Sequence, residues 1–248
     1  MYFIHLSDLH LSDPDSSVIA RARADFVAHG LKQLAEAYPN AESCVITGDL
    51  ADDGDAQVYT WLKELIADLS IPVDLLVGNH DDRMFLTKEF AGSGRFVGDF
   101  AQGTREASNA TLVFLDTHMP NSDAGILCQK RLEWLDQTLK AAADSPVFLF
   151  MHHPPMDIGD PVMDPIKLKN PQDLARVLCG HHTVRHIFFG HVHRALQLDW
   201  NGFPSSCVDG ISTAPDDTVV LNARVVTFRN DKIETSAISI RQSSRTEG

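Results

Sequence analysis

The first two-thirds of the chain alternates short apolar runs with longer amphipathic segments. Short apolar runs are typical of buried strands, and apolar residues repeating every three to four positions are typical of helices packed on a sheet. The predicted strands are 2–6, 44–47, 73–77, 111–115, 147–151 and 186–189. Helices are predicted over 18–38, behind Asp55, around Leu132, Leu135 and Leu139, and from Pro171 with Asn170 as N-cap. This alternation predicts an α/β layered fold.

The pattern changes near the carboxyl end of the chain. Residues 196–200 and 203–208 flank Asn201-Gly202, a strong signal for a tight β-hairpin, and two further strands over 219–228 and 233–240 flank Asn230-Asp231. We expect residues 196–241 to complete a second sheet or to form a small cap. Residues 242–248 are polar and small and are expected to form a flexible tail.

Composition narrows the classes of partner. The chain has 248 residues, a formal net charge of -13 and 44% hydrophobic residues, which fits one sizeable core. Binding to a nucleic-acid polymer requires clustered Lys and Arg, so the acidic balance favours small substrates.

The cysteines and the hydropathy of the chain indicate the cellular compartment of the protein. The four cysteines form no C-x-x-C pair, which favours a reduced compartment. We see no signal peptide and no apolar run near the roughly 20 residues that cross a bilayer. We therefore expect a cytoplasmic protein without a membrane partner.

Clusters of metal-ligand residue types follow five of the predicted strands. They are Asp8-Leu9-His10, Gly48-Asp49-Leu50-Ala51-Asp52, Gly78-Asn79-His80-Asp81, His152-His153-Pro154-Pro155 and Gly190-His191-Val192-His193. Open α/β sheets present their functional loops at the carboxyl ends of strands, so these distant residues can meet in one crevice.

The residue types indicate the chemistry of this crevice. Carboxylate, imidazole and amide oxygen together suit Fe, Mn, Zn or Co better than a soft thiolate-bound metal or calcium. A carboxylate can bridge two ions, whereas neutral imidazole ordinarily binds one, so a central Asp is the expected bridge.

In this order, the motifs resemble the calcineurin-like metallophosphoesterase superfamily over residues 1 to about 195. The segments 78–83 (Gly-Asn-His-Asp-Asp-Arg) and 152–155 (His-His-Pro-Pro) are most similar to bacterial class III cyclic nucleotide phosphodiesterases and glycerophosphodiesterases. The resemblance implies a four-layer αββα sandwich, with two mixed β-sheets flanked by helices and residues 1–195 as the catalytic core.

The resemblance also implies roles for individual residues. The first metal ion would be held by Asp8, His10, Asp49 and His193. Asn79, His152 and His191 would hold the second, with Asp49 bridging. Substrate binding would fall to Asn79 and His80, and His80 would be the catalytic residue that faces the phosphate.

These implications predict a metal-dependent phosphodiesterase with two divalent or mixed-valence ions. Its expected substrates are 3′,5′- or 2′,3′-cyclic nucleotides and glycerophosphodiesters, attacked by a metal-activated hydroxide. The resemblance also makes a homodimer or a larger homo-oligomer an expectation.

The roles of other polar residues near the motifs have more than one interpretation. Asp52 and Asp81 either support ligands through hydrogen bonds or cap helices, and His153 either supports a ligand or merely adjoins one. Arg83 reaches either a phosphate or a surface salt bridge. Asp116 is expected to be structural, as are the histidines outside the motifs: His5, His29, His118, His181, His182 and His186.

Three alternative functions are compatible with some of the same sequence features. A phosphomonoesterase or a nucleotide pyrophosphatase would use the same metal core. A non-catalytic scaffold predicts eroded ligands, and every expected ligand is present. A DNA-processing nuclease requires a basic groove and extra domains, which the acidic, short chain does not favour. Protein phosphatase activity is disfavoured because Asp52-Asp53-Gly54 replaces the Asp-Arg-Gly of that branch.

Overall fold

The strands form two mixed sheets. A computed structural model describes residues 1–91, 96–142, 144–213 and 218–242. Its strands are β1 (Tyr2–Leu6), β2 (Cys44–Ile46), β3 (Val73–Leu75), β4 (Gly103–Ala107), β5 (Ala110–Phe114), β6 (Val147–Phe150), β7 (Val184–Phe189), β8 (Leu196–Trp200), β9 (Phe203–Cys207), β10 (Ile211–Thr213), β11 (Val219–Arg229) and β12 (Lys232–Arg241).

The helices are α1 (Val18–Ala37), α2 (Ala56–Ala67), α3 (Arg83–Glu89), α4 (Gln129–Ala141) and α5 (Pro171–Leu178), with a short 3₁₀ turn at Asp164–Ile166. Ser17 caps α1 by accepting a hydrogen bond from the Ala20 amide at 3.1 Å. Asn170 stands at the N-cap of α5 as predicted but makes no capping bond. Its amide group instead bonds both backbone polar groups of Leu127.

The first sheet has the order β10-β11-β1-β2-β3, and the second has the order β4-β5-β6-β7-β9-β8. The β1, β2 and β3 strands are parallel, as are β5, β6 and β7. Consequently the carboxyl ends of all these strands can carry the functional loops on one side of the sandwich.

Four layers result from the burial pattern. In the first sheet, alternate residues of β1 face opposite ways: Ile4 and Leu6 pack with α1 and α2, whereas Phe3 packs against Phe150 and Phe188 of the second sheet at ring distances of 5.3 Å. On the far side, α4 and α5 cover the second sheet through Leu135 and Leu174. The predicted four-layer αββα sandwich with two mixed sheets is confirmed.

The late strands divide between the two sheets. β8 and β9 extend the second sheet, but β10, β11 and β12 join the first one. This differs from the expectation that residues 196–241 complete the second sheet or form a cap. The reason is long-range pairing: β11 lies antiparallel to β1, with Phe3 opposite Val226. Of the expected tail, only Gln242 is described; residues 243–248 lie outside the described ranges.

Candidate metal centre

The five strand-end clusters converge on one crest of the sandwich. Several of their residues adopt left-handed backbone conformations that non-glycine residues rarely take. These residues are Asp8 (φ 55°), His10 (φ 45°), Asp49 (φ 49°), His191 (φ 72°) and His193 (φ 49°). Such backbone strain is concentrated at functional sites, where the surrounding fold holds it in place.

The residues expected to hold the first metal ion form one tight group. Ligand atoms of Asp8, His10, Asp49 and His193 all lie within 4.8 Å of one another. Nε2 of His10 lies 3.1 Å from Nε2 of His193 and 3.6 Å from Oδ2 of Asp49. The structure therefore brings together the whole first set.

The second set gathers on the other side of Asp49. Nε2 of His152 lies 3.0 Å from Oδ1 of Asn79 and 3.3 Å from Oδ2 of Asp49. The His191 ring packs 5.1 Å from the His152 ring, and its Nε2 is buried without a hydrogen-bond partner among the described residues. Asp49 thus lies between the two groups, in the position of a bridge.

Hydrogen bonds around the rings assign their tautomers. Nδ1 of His152 donates to the Thr47 carbonyl at 2.7 Å, and Nδ1 of His10 donates to the Asp52 carboxylate at 3.1 Å. With the proton on Nδ1, each Nε2 presents a lone pair to the centre. Lone pairs of imidazole, carboxylate and amide oxygen therefore face one another, an arrangement that fits bound cations and is repulsive without them.

The pKa values reflect the same crowding. Burial lowers the pKa of His191 to about 3, which keeps this ring neutral as a ligand must be. Burial also raises the pKa of Asp8, and the charge of Asp49 adds to the effect. For His152, burial opposes protonation most, but the Asp49 carboxylate outweighs it and raises the pKa to about 9. A site this rich in acceptors attracts protons, and metal ions compete with those protons.

Asp81 organises the loops rather than facing the cleft. Its buried carboxylate accepts hydrogen bonds from the backbone amides of Leu50, Ala51 and Gly78 and from the Tyr59 hydroxyl at 3.1 Å. Burial and the nearby Asp49 charge raise its pKa to about 6. Asp81 therefore ties the loop after β2 to the loop after β3, while Asp82, not Asp81, caps α3. Sequence reasoning missed Tyr59, because its apolar helical spacing indicated only a core position.

His80 sits beside the centre with an open face. Its backbone amide donates to Oδ1 of Asp49 at 3.0 Å, and its Nδ1 donates to the Asp52 carbonyl at 2.8 Å. Its ring lies 4.8 Å from the His10 ring, edge to face. Burial opposes protonation, but the Asp52 carbonyl and the Asp49 charge prevail and raise the pKa of His80. His80 is thus a candidate proton donor toward the cleft.

The contacts of the neighbouring polar residues show which of them can take part in the site. Both ring nitrogens of buried His153 are hydrogen-bonded, to the Thr117 hydroxyl at 2.8 Å and the Asp123 carbonyl at 3.1 Å, which leaves no lone pair for a metal. Arg83 forms an ion pair with buried Asp116 at 2.7 Å instead of reaching the site. Asp116 also binds Arg131, which agrees with the structural role expected for it.

A cleft of about 630 Å³ opens over the centre. The expected site residues among those lining it are His10, Asp49, Asp52, Asn79, His80, His191 and His193. Arg23 of α1 also lines it, together with the apolar residues Met163, Ile166 and Ile211. Sequence reasoning did not single out Arg23, since a lone arginine on an amphipathic helix carries no motif signal.

Among the helices of the described ranges, none has the length and apolarity to span a membrane.

A two-sheet αββα sandwich that brings two histidine and carboxylate sets together around one shared aspartate defines a dinuclear metal-dependent hydrolase of phosphoesters. The chain belongs to the calcineurin-like phosphoesterase family, whose sequence model matches residues 1–195.

Curated relatives support this assignment, and a solved structure shares the fold. A probable cyclic nucleotide phosphodiesterase of Rhodopseudomonas palustris is 34% identical over 216 residues, covering 86% of this chain and 78% of the relative. A 3′,5′-cyclic adenosine monophosphate phosphodiesterase of Pseudomonas aeruginosa is 30% identical over 225 residues, covering 87% of this chain and 80% of the relative. A dimetal phosphatase from Danio rerio has the same fold, with a TM-score of 0.70, 18% identity and coverage of 98% and 99%.

Proposed function

We propose that this chain hydrolyses small phosphodiesters, with cyclic nucleotides and glycerophosphodiesters as its substrates. The observation that carries the proposal is the convergence of acceptor atoms around Asp49, which lies 3.3 Å from one histidine set and 3.6 Å from the other. Relatives with phosphodiesterase names support the diester, among them a glycerophosphodiester phosphodiesterase of Enterobacter lignolyticus that is 28% identical, covering 78% of this chain and 71% of the relative.

In this proposal the two ligand sets have the roles expected from the sequence. Asp8, His10, Asp49 and His193 hold one ion, and Asn79, His152 and His191 hold the other with Asp49 shared. The bound ions supply Lewis acidity and a nucleophilic hydroxide at neutral pH. Hydrogen bonds from His10 to Asp52 and from His152 to Thr47 keep the ring orientations that ligation requires.

His80 acts on the substrate in the proposed reaction. Because Nδ1 is held by the Asp52 carbonyl, the free Nε2 is the atom that can face the phosphate. Although burial opposes protonation, the Asp52 carbonyl and the Asp49 charge raise the pKa of this ring, and a proton on Nε2 would stabilise a phosphoryl oxygen or pass to the departing alkoxide. Asn79 contributes the neighbouring polar contact to the same phosphate.

The metals, location and assembly belong to the same proposal. The mixed imidazole, carboxylate and amide set suits Fe, Mn, Zn or Co. Within the described residues, all four cysteines are free thiols, which suits the reducing cytoplasm. We further propose that the chain forms a homodimer or larger homo-oligomer and acts without a nucleic-acid polymer or a membrane.

One rate panel tests the diester proposal. Cyclic AMP, 2′,3′-cyclic AMP, glycerophosphocholine, bis(p-nitrophenyl) phosphate and a phosphomonoester are assayed with and without a chelator. We expect chelator-sensitive turnover of at least one diester and slower turnover of the monoester. If no diester is turned over, the proposal is wrong, and a preference for the monoester would favour a phosphomonoesterase.

A further inference from the structure

Arg23 lies at the metal centre but has no part in the reaction outlined above. It projects from α1 into the cleft wall that also contains His10, Asp52 and His80. Its Nε atom is buried and has no hydrogen-bond partner within the described ranges. An arginine that is partly withdrawn from water in this way normally gains a hydrogen-bonded anion in exchange.

No carboxylate of the described chain fills that role. Within residues 1–91, 96–142, 144–213 and 218–242, no carboxylate oxygen lies within 4.0 Å of a nitrogen atom of the Arg23 guanidinium. Asp52 is the acid whose charge Arg23 experiences, and the Asp52 carboxylate already accepts the 3.1 Å hydrogen bond from His10. The guanidinium keeps its charge at any physiological pH.

The other arginines near this end of the molecule are occupied. Arg21, two residues earlier on α1, forms an ion pair with Asp15, and Arg83 and Arg131 both bind Asp116. Arg23 differs from them because it faces a centre that is built to hold two cations. Like charges repel, so a fixed cation in this position is favourable only with an anion between it and the metals.

We propose that Arg23 binds the phosphate group of the substrate from the same wall as His80. A guanidinium offers two parallel N–H donors that match two phosphate oxygens, and this geometry is common in phosphate recognition. His80 then contributes its Nε2 to the same group. The inference rests on the phosphoester chemistry of the proposed function, and it does not depend on whether the substrate is a diester.

Calorimetric titration of inorganic phosphate into the metal-loaded protein tests this inference. Wild type is compared with Arg23→Gln, Arg23→Lys and the matched control Arg21→Gln on the same helix. We expect Arg23→Gln to raise the Kd for phosphate about tenfold or more, because the substitution removes a charge-assisted hydrogen bond to the phosphate oxygens. Arg23→Lys should restore part of the affinity, and Arg21→Gln should leave it unchanged.

Metal content and melting temperature are measured on every variant. A Kd for Arg23→Gln within twofold of wild type overturns the inference, as does metal loss in both Arg23 variants, which would show that Arg23 serves the ligands. Absence of phosphate binding by wild type also overturns it. If phosphate affinity falls as expected while no diester is hydrolysed, the diester proposal fails and the role of Arg23 stands.

Discussion

Asp49 is the residue on which most of the site depends. The residue is 1% exposed, and its Oδ1 accepts a hydrogen bond from the His80 amide at 3.0 Å while its Oδ2 faces His10 and His152. Burial opposes ionisation, but the His152 charge and hydrogen bond prevail and hold the pKa of Asp49 well below its usual range. The group is therefore a permanent anion between two sets of imidazoles.

Two single substitutions separate ligand from catalyst. Asp49→Ala removes the shared oxygen atoms, so both metal occupancy and activity should fall. His80→Ala removes only a side chain that faces the cleft, so metal content should stay near wild type while kcat falls by about 10²–10⁴, the range typical of a lost acid catalyst. Metal analysis and kinetics of the two purified variants check this. Equal loss of metal from both would contradict the division of roles.

At the level of elements, the site depends on how closely the loops after β2 and β3 approach each other. Gly78 ends the apolar run that starts with β3, and a Cβ atom there would lie 2.0 Å from Oδ1 of Asp49 and 2.4 Å from its backbone nitrogen. Only glycine allows this contact. Asp81 then joins the two loops through the amides of Leu50, Ala51 and Gly78.

Gly78→Ala should displace Asp49 and thereby lower metal occupancy and activity together. Gly180→Ala is the matched control, because its new Cβ would meet only the Val177 carbonyl at 3.4 Å. The measurements are metal content, turnover and melting temperature of both variants. A Gly78→Ala protein with wild-type metal content would show that the loops can move apart without harm to the site.

At the scale of the whole molecule, two histidines are buried between the sheets. Nε2 of His5 bonds Thr47 at 3.0 Å, and Nε2 of His186 bonds Ser206 at 2.8 Å. Burial, followed by the charge of Arg224, lowers the pKa of His5 to about 3 and that of His186 to about 4. Their ordinary pKa is about 6.5. At these two positions the unfolded chain therefore binds more protons than the folded chain once the pH drops below about 6.5.

The stability that these two histidines contribute should consequently be fully present above about pH 6.5 and decrease as the pH falls toward 4. Each of these histidines contributes a loss of up to about 1.4 kcal/mol per pH unit. Urea unfolding of the metal-free protein at pH 7, 6 and 5 measures the slope. His186→Gln should have a shallower slope than wild type, and exposed His29→Gln should keep it. An unchanged slope in His186→Gln would contradict a neutral buried ring.

Much of the architecture was predictable from hydrophobic pattern, as the strands that carry the ligands show. β1, β2, β3, β6 and β7 were all expected within a few residues, because buried strands are continuous apolar runs. The helix α3 and the strands β4 and β10 were not predicted. They are short, and in β4 the polar residues Thr104, Arg105 and Glu106 dominate the pattern. Their conformation depends on partners that are distant in sequence.

The sequence by itself determined which residue types follow each strand, and the resemblance of those motifs predicted the family together with the two ligand sets and the shared aspartate. Those features are local, since an apolar run ends where its polar loop begins. Only the tertiary structure decided that β10 to β12 join the first sheet, that Tyr59 and Asp81 tie two loops together, and that Arg23 faces the metal centre. These depend on contacts between distant segments, whose energies no local pattern contains.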